Sequence, residues 1–491
     1  APAAPEPVTP PPSPWSSPAV PSRPLVERLG IAGLVVGLIA LIGWTAYTTF
    51  APEGDRPAAR VAQADANAVP PAAVTKEASR DVPPDATQPG AVAEPKTNVA
   101  ETNPPADATA SKSDEGKAFT PAVAKLTTPG TLVLAWNPEK SEWSRVTTGS
   151  TIKPDTRLLN LTPFWSTVQA DSARITLVDD SDVTYQGSDK RTAMKIGFER
   201  GKAVLSGGSD GTPFVVTHRG KSCSIVNSPG TLVGIQRIWS PVPGVAKPEA
   251  PPISIYVGEG EAVLQVGDSR RTIKGPAIAT WTEAGTIQTS SKSAMPTWLT
   301  EAGPPPSVKE LGERFLKDFS PNGSVLRDLV QAVDGDDPDG RRLAIMALGS
   351  MGEAEMIVPV LNNAMTDAAT RRPAAEALRT MLAQGGEPAK AVREELTKVY
   401  GTDLAGSAEK LLLGFTAEEG SREATYAELV RLLSTPDLGT RELALQSLMA
   451  LTGRDNLEYD PTKPEGRGLK AWQDLLQKKE LMKNSAPISP R

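Results

Sequence analysis

The chain has 491 residues, 47 prolines, 41 glycines and a formal net charge of −6, enough length for about three domain-sized units. An acidic balance argues against nucleic acid as a partner, because that role calls for a basic surface. A single cysteine, Cys223, and a single histidine, His218, exclude a disulfide framework, a multi-cysteine zinc site and a multi-histidine metal centre, so no metal and no cofactor are expected.

Residues 1–28 are a proline-rich stub that starts at Ala1 rather than at a methionine. Either the N-terminal end is bare, or a further segment precedes it. From Leu29 to Phe50 the chain runs without a charged side chain, and about 20 apolar residues span a bilayer core as a helix. A transmembrane helix is therefore expected over 29–50. Its leucines, isoleucines and valines each favour insertion by a few tenths of a kcal/mol, together about −4 kcal/mol. Trp44, Tyr47 and Phe50 recur at a spacing of three near its end, where an aromatic belt would lie. A cleavable signal peptide has an apolar region of about 7–15 residues and a small-residue cleavage site. This run is longer, and Thr45 to Ala51 offers no A-x-A pattern. Arg23 and Arg28 precede the segment and Arg56 and Arg60 follow it, so charge leaves the orientation nearly tied, with Arg28 tilting it towards N-inside. Gly33 and Gly37 form a G-x-x-x-G spacing that could support a weak helix–helix dimer, although glycine is common in membrane helices in any case.

Residues 51–125 are alanine, proline, threonine, serine and scattered charge. With so few strongly apolar residues the segment cannot offset its ordering entropy, and a disordered Pro/Ala-rich linker is expected.

Near Leu126 valine, isoleucine and threonine rise and the period becomes two. Ala173 to Val178, an Asp179-Asp180-Ser181-Asp182 turn and Val183 to Tyr185 read as one hairpin. Met194 to Glu199 with Lys202 to Leu205 around Gly201 read as a second, and Ile253 to Val257 with Glu261 to Val266 as a third. Pro213 to Thr217, Ser222 to Asn227, Thr231 to Gln236, Arg270 to Ile273 and Ala277 to Trp281 complete the series. Short strands with frequent turns predict an all-β sandwich or barrel over 126–289.

These residues resemble the FecR-like domain. Thr167-Val-Gln-Ala-Asp-Ser-Ala-Arg-Ile-Thr-Leu-Val-Asp-Asp-Ser181 is similar to the family's S-x-A-x-L-x-L-x-D-G-S hairpin. Pro213-Phe-Val-Val-Thr217 is similar to its F-x-V-x-T strand, Gly230-Thr231 to its G-T step, and Ile255-Tyr-Val-Gly-Glu-Gly-Glu-Ala-Val263 to its V-x-V-x-E-G-x-V hairpin. Lys274-Gly275 to Ala279 follows its L-x-x-G-x-x-A segment. Asp180 departs from the family's glycine. The resemblance implies an extracytoplasmic sensing or transducing β domain behind one membrane helix. It thereby favours a single-pass inner (cytoplasmic) membrane protein with a cytoplasmic N-terminus. The signalling members also carry a cytoplasmic domain that holds a sigma factor; these residues show no match to it, so anti-sigma activity is not carried over from the resemblance.

Residues 290–324 read as a linker and lead-in helix, broken at Pro304-Pro305-Pro306. Over 325–480 the period becomes 3.6, and Asp-x-x-x-Arg-x-x-Ala-x-x-x-Leu occurs three times. The copies are Asp337, Arg341, Ala344, Leu348; Asp367, Arg371, Ala374, Leu378; and Asp437, Arg441, Ala444, Leu448. The aspartates would cap helix N-termini, and Ala and Leu four apart share one face. The arginine lies within reach of a capping aspartate of its own or an adjacent repeat. A worn copy falls at Ala408 and Leu412, with Gly401 and Ala405 in place of Asp and Arg. The pattern resembles HEAT-like repeats, also found in phycobilin-lyase subunits, over about 325–476. That resemblance implies an all-α solenoid with a concave binding surface and no particular chemistry. Residues 481–491 are expected to be a disordered tail.

No catalytic constellation emerges. Gly207-Gly-Ser-Asp-Gly211 matches G-x-S-x-G, but it lies between strands, whereas a nucleophile elbow needs a strand–turn–helix setting. His218 reads as a strand-end residue and Cys223 as a small buried hydrophobe. Asp334, Asp336, Asp337 and Asp339 fail the calcium-loop ligand positions. Trp143, Trp165, Trp239 and Trp281 could line a groove or sit in the core. The expected function is thus a membrane-anchored, non-enzymatic extracytoplasmic binding or sensor protein. Its partner would be an envelope protein or cell-wall component. The alternatives are a transducer of the anti-sigma type with a cytoplasmic domain upstream, or an envelope scaffold; a hydrolase fits least well.

Overall fold

Alternating apolar residues set the strands, and the computed structural model describes residues 122–208, 211–291, 294–320 and 323–482. The first strands are Ala124–Leu126 (β1), Val133–Asn137 (β2), Glu142–Val146 (β3), Thr151–Ile152 (β4), Thr156–Asn160 (β5) and Trp165–Ala170 (β6). Two long strands follow, Ala173–Gly187 (β7) and Met194–Gly207 (β8). Then come Phe214–His218 (β9), Lys221–Asn227 (β10), Val233–Arg237 (β11) and Ile253–Val257 (β12). The last are Glu261–Val266 (β13), Ser269–Lys274 (β14), Ala277–Trp281 (β15) and Ile287–Ser291 (β16).

All three expected hairpins are replaced by other pairings. Asp179-Asp180-Ser181 is no turn: β7 runs straight through it. Its first half pairs with β6 and its second half with β5, while β8 follows its other edge throughout, with register shifts between Val178 and Asp182. The stretch is a bulge that bends a continuous strand. Asp179 takes φ 53°, which aspartate tolerates, and Gly201 on β8 faces it at φ 103°. A Cβ on Gly201 would stand 2.4 Å from Asp180 O, so the bulge and that glycine require each other. Buried Asn160 fixes the bend by donating from Nδ2 to Phe164 O and Asp179 O, both at 2.7 Å. Met194 to Leu205 is likewise one strand. β12 and β13 are not partners: β12 lies between β11 and β15, and β13 between β10 and β14.

One path through the sheet runs β14-β13-β10-β9-β8-β11-β12-β15-β16, and β7 joins β1 to β6 to it at β8. β8 and β9 are parallel, so the sheet is mixed. One core lies within it and includes Ile175, Leu177, Tyr185, Phe198, Phe214, Ile255, Leu264 and Trp281.

The helices are Thr297–Thr300 (α1), Pro306–Leu316 (α2), Val325–Val333 (α3), Pro338–Met351 (α4), Ala354–Asn362 (α5) and Ala368–Gln384 (α6). They continue with Gly386–Leu413 (α7), Ala417–Gly420 (α8), Glu423–Leu432 (α9), Leu438–Thr452 (α10) and Arg467–Gln477 (α11). α4 packs on α6, α6 on α7, and α10 on α7 and α9. Their core does not end at the sheet. Leu132, Leu134, Trp143, Leu159, Leu161 and Phe164 join Phe315, Phe319, Leu329, Leu343 and the repeat leucines in one cluster. α1 adds Trp298 and Leu299 against Trp165, Val178 and Val204.

The expected fold class is corrected accordingly. In place of a sandwich-like all-β domain and a separate all-α HEAT-like solenoid, a large mixed sheet is followed by helices that share its outer face. Burying that face against the helices removes more apolar surface from water than two separate bodies would. Among the described residues no helix is long and apolar enough to cross a membrane. The helix expected at Leu29–Phe50, with Gly33 and Gly37, lies outside the described residues, as does nearly all of the expected linker.

Candidate functional site

The β7–β8 bend carries charge. Asp182 is 2% exposed and takes a bidentate bond from Arg157, Nε to Oδ1 at 3.0 Å and Nη2 to Oδ2 at 2.6 Å. The bond to Asp182 raises the Arg157 pKa above its ordinary value, outweighing burial. Lys202 Nζ lies 3.0 Å from Asp179 Oδ2. Arg200 pairs with Asp180 and donates from Nη2 to Ser350 O at 2.7 Å. That carbonyl lies in the last turn of α4, where backbone acceptors lack helical partners.

Two adjoining cavities flank this contact. One, of about 190 Å³, lies between Asp180, Arg200, Lys202, Arg237, Trp239 and the Thr380–Gln384 end of α6. The other, of about 210 Å³, lies between Asp180, Arg200, Met346, Ser350, Glu376 and the same end of α6. Asp180, Arg200, Thr380 and Gln384 line both, which makes a single groove between the bent sheet and the α4–α6 pair. The sheet wall holds two enclosed polar atoms without a partner among the described residues, the acceptor Asp180 Oδ1 and the donor Arg237 Nη2. The rest of the Arg237 guanidinium is held by Pro251 O at 3.0 Å, by Glu199 O at 2.5 Å and by the Trp239 ring at 5.0 Å. Burial pulls its pKa down.

The repeat residues form the helical core beside the groove and do not line it. Asp337 accepts from Asp339 N at 3.1 Å, Asp367 from Thr370 N at 2.7 Å and Asp437 from Thr440 N at 2.6 Å; each caps its helix. Arg341 donates to Asp367 of the next copy at 2.9 Å and to Gly335 O at 2.9 Å. Arg371 reaches Glu442 at 3.1 Å and Thr366 O. Arg441 reaches Pro461 O at 2.6 Å and Thr435 O at 2.5 Å. Ala344, Leu348, Ala374, Leu378, Ala444 and Leu448 are fully buried. In the worn copy Gly401 breaks α7 at φ 72° and ψ 167°, and Ala408 and Leu412 are buried beyond it.

The remaining candidates are dispersed. His218 Nδ1 lies 2.8 Å from Phe198 O; since the carbonyl can only accept, Nδ1 carries the proton in the neutral ring. Burial, then the charge of Arg237, pulls its pKa below the usual imidazole value. Cys223 faces the sheet core, and burial pushes its thiol up to about 12. Asp339 pairs with Arg314 at 3.1 Å. Trp143, Trp165 and Trp281 are core residues, and Trp239 alone of the four lines the groove. Among the described residues no group of three or more His, Cys, Asp or Glu side chains is placed to hold a metal ion.

No family model matches the chain, and no curated protein matches it. Among solved structures, a protein of Parabacteroides distasonis ATCC 8503 with the provisional description of an anti-sigma factor is 13% identical, with a TM-score of 0.21. The match covers 27% of this chain and 58% of that one, so the chain spans less than two thirds of that protein's length.

Proposed function

We propose that this chain is a non-enzymatic binding protein of a sensing or regulatory kind, and that a polypeptide segment occupies the groove between the β7–β8 bend and the α4–α6 pair. The observation that carries this reading is one groove that presents an acceptor, the part-exposed Asp180 carboxylate, beside the donors Arg200 and Lys202. A polypeptide backbone supplies both a donor and an acceptor at nearly every residue. The apolar parts of Trp239, Ile238 and Met346 offer contacts for its side chains. The FecR-like order of motifs supports a setting outside the cytoplasm, where the partner is an envelope protein.

A photo-crosslinking residue placed at Gln384 or at Met346 tests this in the intact chain. Both positions are expected to trap the same polypeptide, and Thr380→Trp, which fills the shared floor, is expected to abolish both products. Met365, 93% exposed and away from the groove, serves as the control. Equal trapping from Met365, or trapping that survives Thr380→Trp, would overturn the reading.

A further inference from the structure

A second cavity, remote from the groove, has a different chemistry. The chain between β11 and β12 crosses onto the helices, where Gly244 N donates to Leu413 O at 2.8 Å. Pro241 and Pro243 of this crossing roof a space of about 370 Å³ over α6, α7 and α10. That volume falls within the usual range of small-molecule sites. Leu411, Leu413, Phe415 and Leu451 make its walls apolar, and among the described residues Arg379 is the one charged residue that lines it.

Arg379 Nε donates to Leu412 O and Nη2 to Gln446 Oε1, each at 3.1 Å. Nη1 has no partner, and no carboxylate lies within ion-pair distance, among the described residues. Enclosure alone pulls the Arg379 pKa down, with Glu376 the opposing influence. A cation held among apolar groups without a counter-charge is costly. The guanidinium fork matches a carboxylate, and the apolar walls match a hydrocarbon body.

We propose that this cavity binds a small monocarboxylate with an apolar tail, its carboxylate on Arg379 and its tail between Pro243, Phe415 and Leu451. A neutral alcohol would leave the cation unpaired. A diacid would set a second charge against an apolar wall.

Octanoate titrated calorimetrically into the full chain tests the site, with 1-octanol and acetate as probes that lack the carboxylate or the tail. Saturable octanoate binding is expected, at least tenfold tighter than either comparator. Arg379→Met should weaken it by about ten- to a hundredfold, the range of a charge-assisted hydrogen bond. Because Arg379 also ties α6 to α7 and α10, Ala450→Trp provides a second variant. It fills the cavity from an exposed rim position, leaves Arg379 in place and should abolish binding while the fold is kept. The proposal is overturned if octanoate does not saturate, if octanol binds as well, if binding survives Ala450→Trp, or if a leucine-terminated peptide binds and octanoate does not.

Discussion

Replacing Arg200 with methionine should loosen the seam between the sheet and the helices. Arg200 is 9% exposed and makes two kinds of contact across that seam. Its Nη2 bond to Ser350 O at 2.7 Å is charge-assisted, a class worth about 1.5–3 kcal/mol. The same cation sits at the C-terminal end of α4, where the helix dipole adds about 0.3–1 kcal/mol. Its pairing with Asp180 counts for less, because that side chain is 34% exposed and water screens it. The loss should therefore total about 2–4 kcal/mol. Asp182 keeps its bidentate bond to Arg157, so the bend itself should survive. Hydrogen exchange suits the question better than a single melting curve, since a sheet-plus-helix unit of this size need not unfold in one step. Amides from Met346 to Gly352 should exchange about thirtyfold faster or more in Arg200→Met, with β9 and β10 unchanged. Arg200→Lys should fall between, since it keeps the charge and loses the fork. Exchange in that stretch within a factor of about three of wild type would refute this account of the seam.

Arg371 and Glu442, 2% and 5% exposed, join α6 to α10 at 3.1 Å. Arg371→Met and Glu442→Leu should each cost about 3–5 kcal/mol, because each strands a buried charge, and the double variant should cost clearly less than their sum. Urea titration measures this, and additivity within about 0.5 kcal/mol would rule out a coupled pair. For His218, burial and then Arg237 depress the folded pKa, while the unfolded ring titrates near about 6.5. Its contribution to stability is complete above that value and is lost as pH falls from there towards the folded pKa. His218→Gln should flatten the slope of stability against pH just below about 6.5; an unchanged slope would show that this ring does not set it.

The parts of the fold that could be read from sequence are those fixed by neighbours along the chain. Asp337, Asp367 and Asp437 cap helices through bonds to residues two or three positions on, and that chemistry is local. The parts that could not be read depend on distant partners. Asp179-Asp180-Ser181 has the composition of a turn, yet a turn and a bulge use the same residues. What selects the bulge is Gly201 across the ladder, with no room there for a Cβ. Likewise Gly258 to Gly260 suits a hairpin, but β13 leaves β12 for β10, a choice made by sheet packing.

The joint between sheet and helices did leave a trace. Leu132-Val133-Leu134 and Leu158-Leu159 are unbroken apolar runs, and successive strand residues face opposite sides. An unbroken run therefore requires cover on both faces. The structure provides it: Val133 and Leu158 enter the core within the sheet, while Leu134 and Leu159 enter the core shared with the helices. A strand of a free-standing domain with one solvated face would have placed polar residues at 134 and 159. The groove left no comparable trace, because Asp180 and Arg200 meet Thr380 and Gln384 only after both covers are in place. The groove is thus a consequence of the joint, and a change that separates sheet from helices, such as Arg200→Met, should weaken the proposed trapping at Gln384 and Met346 together.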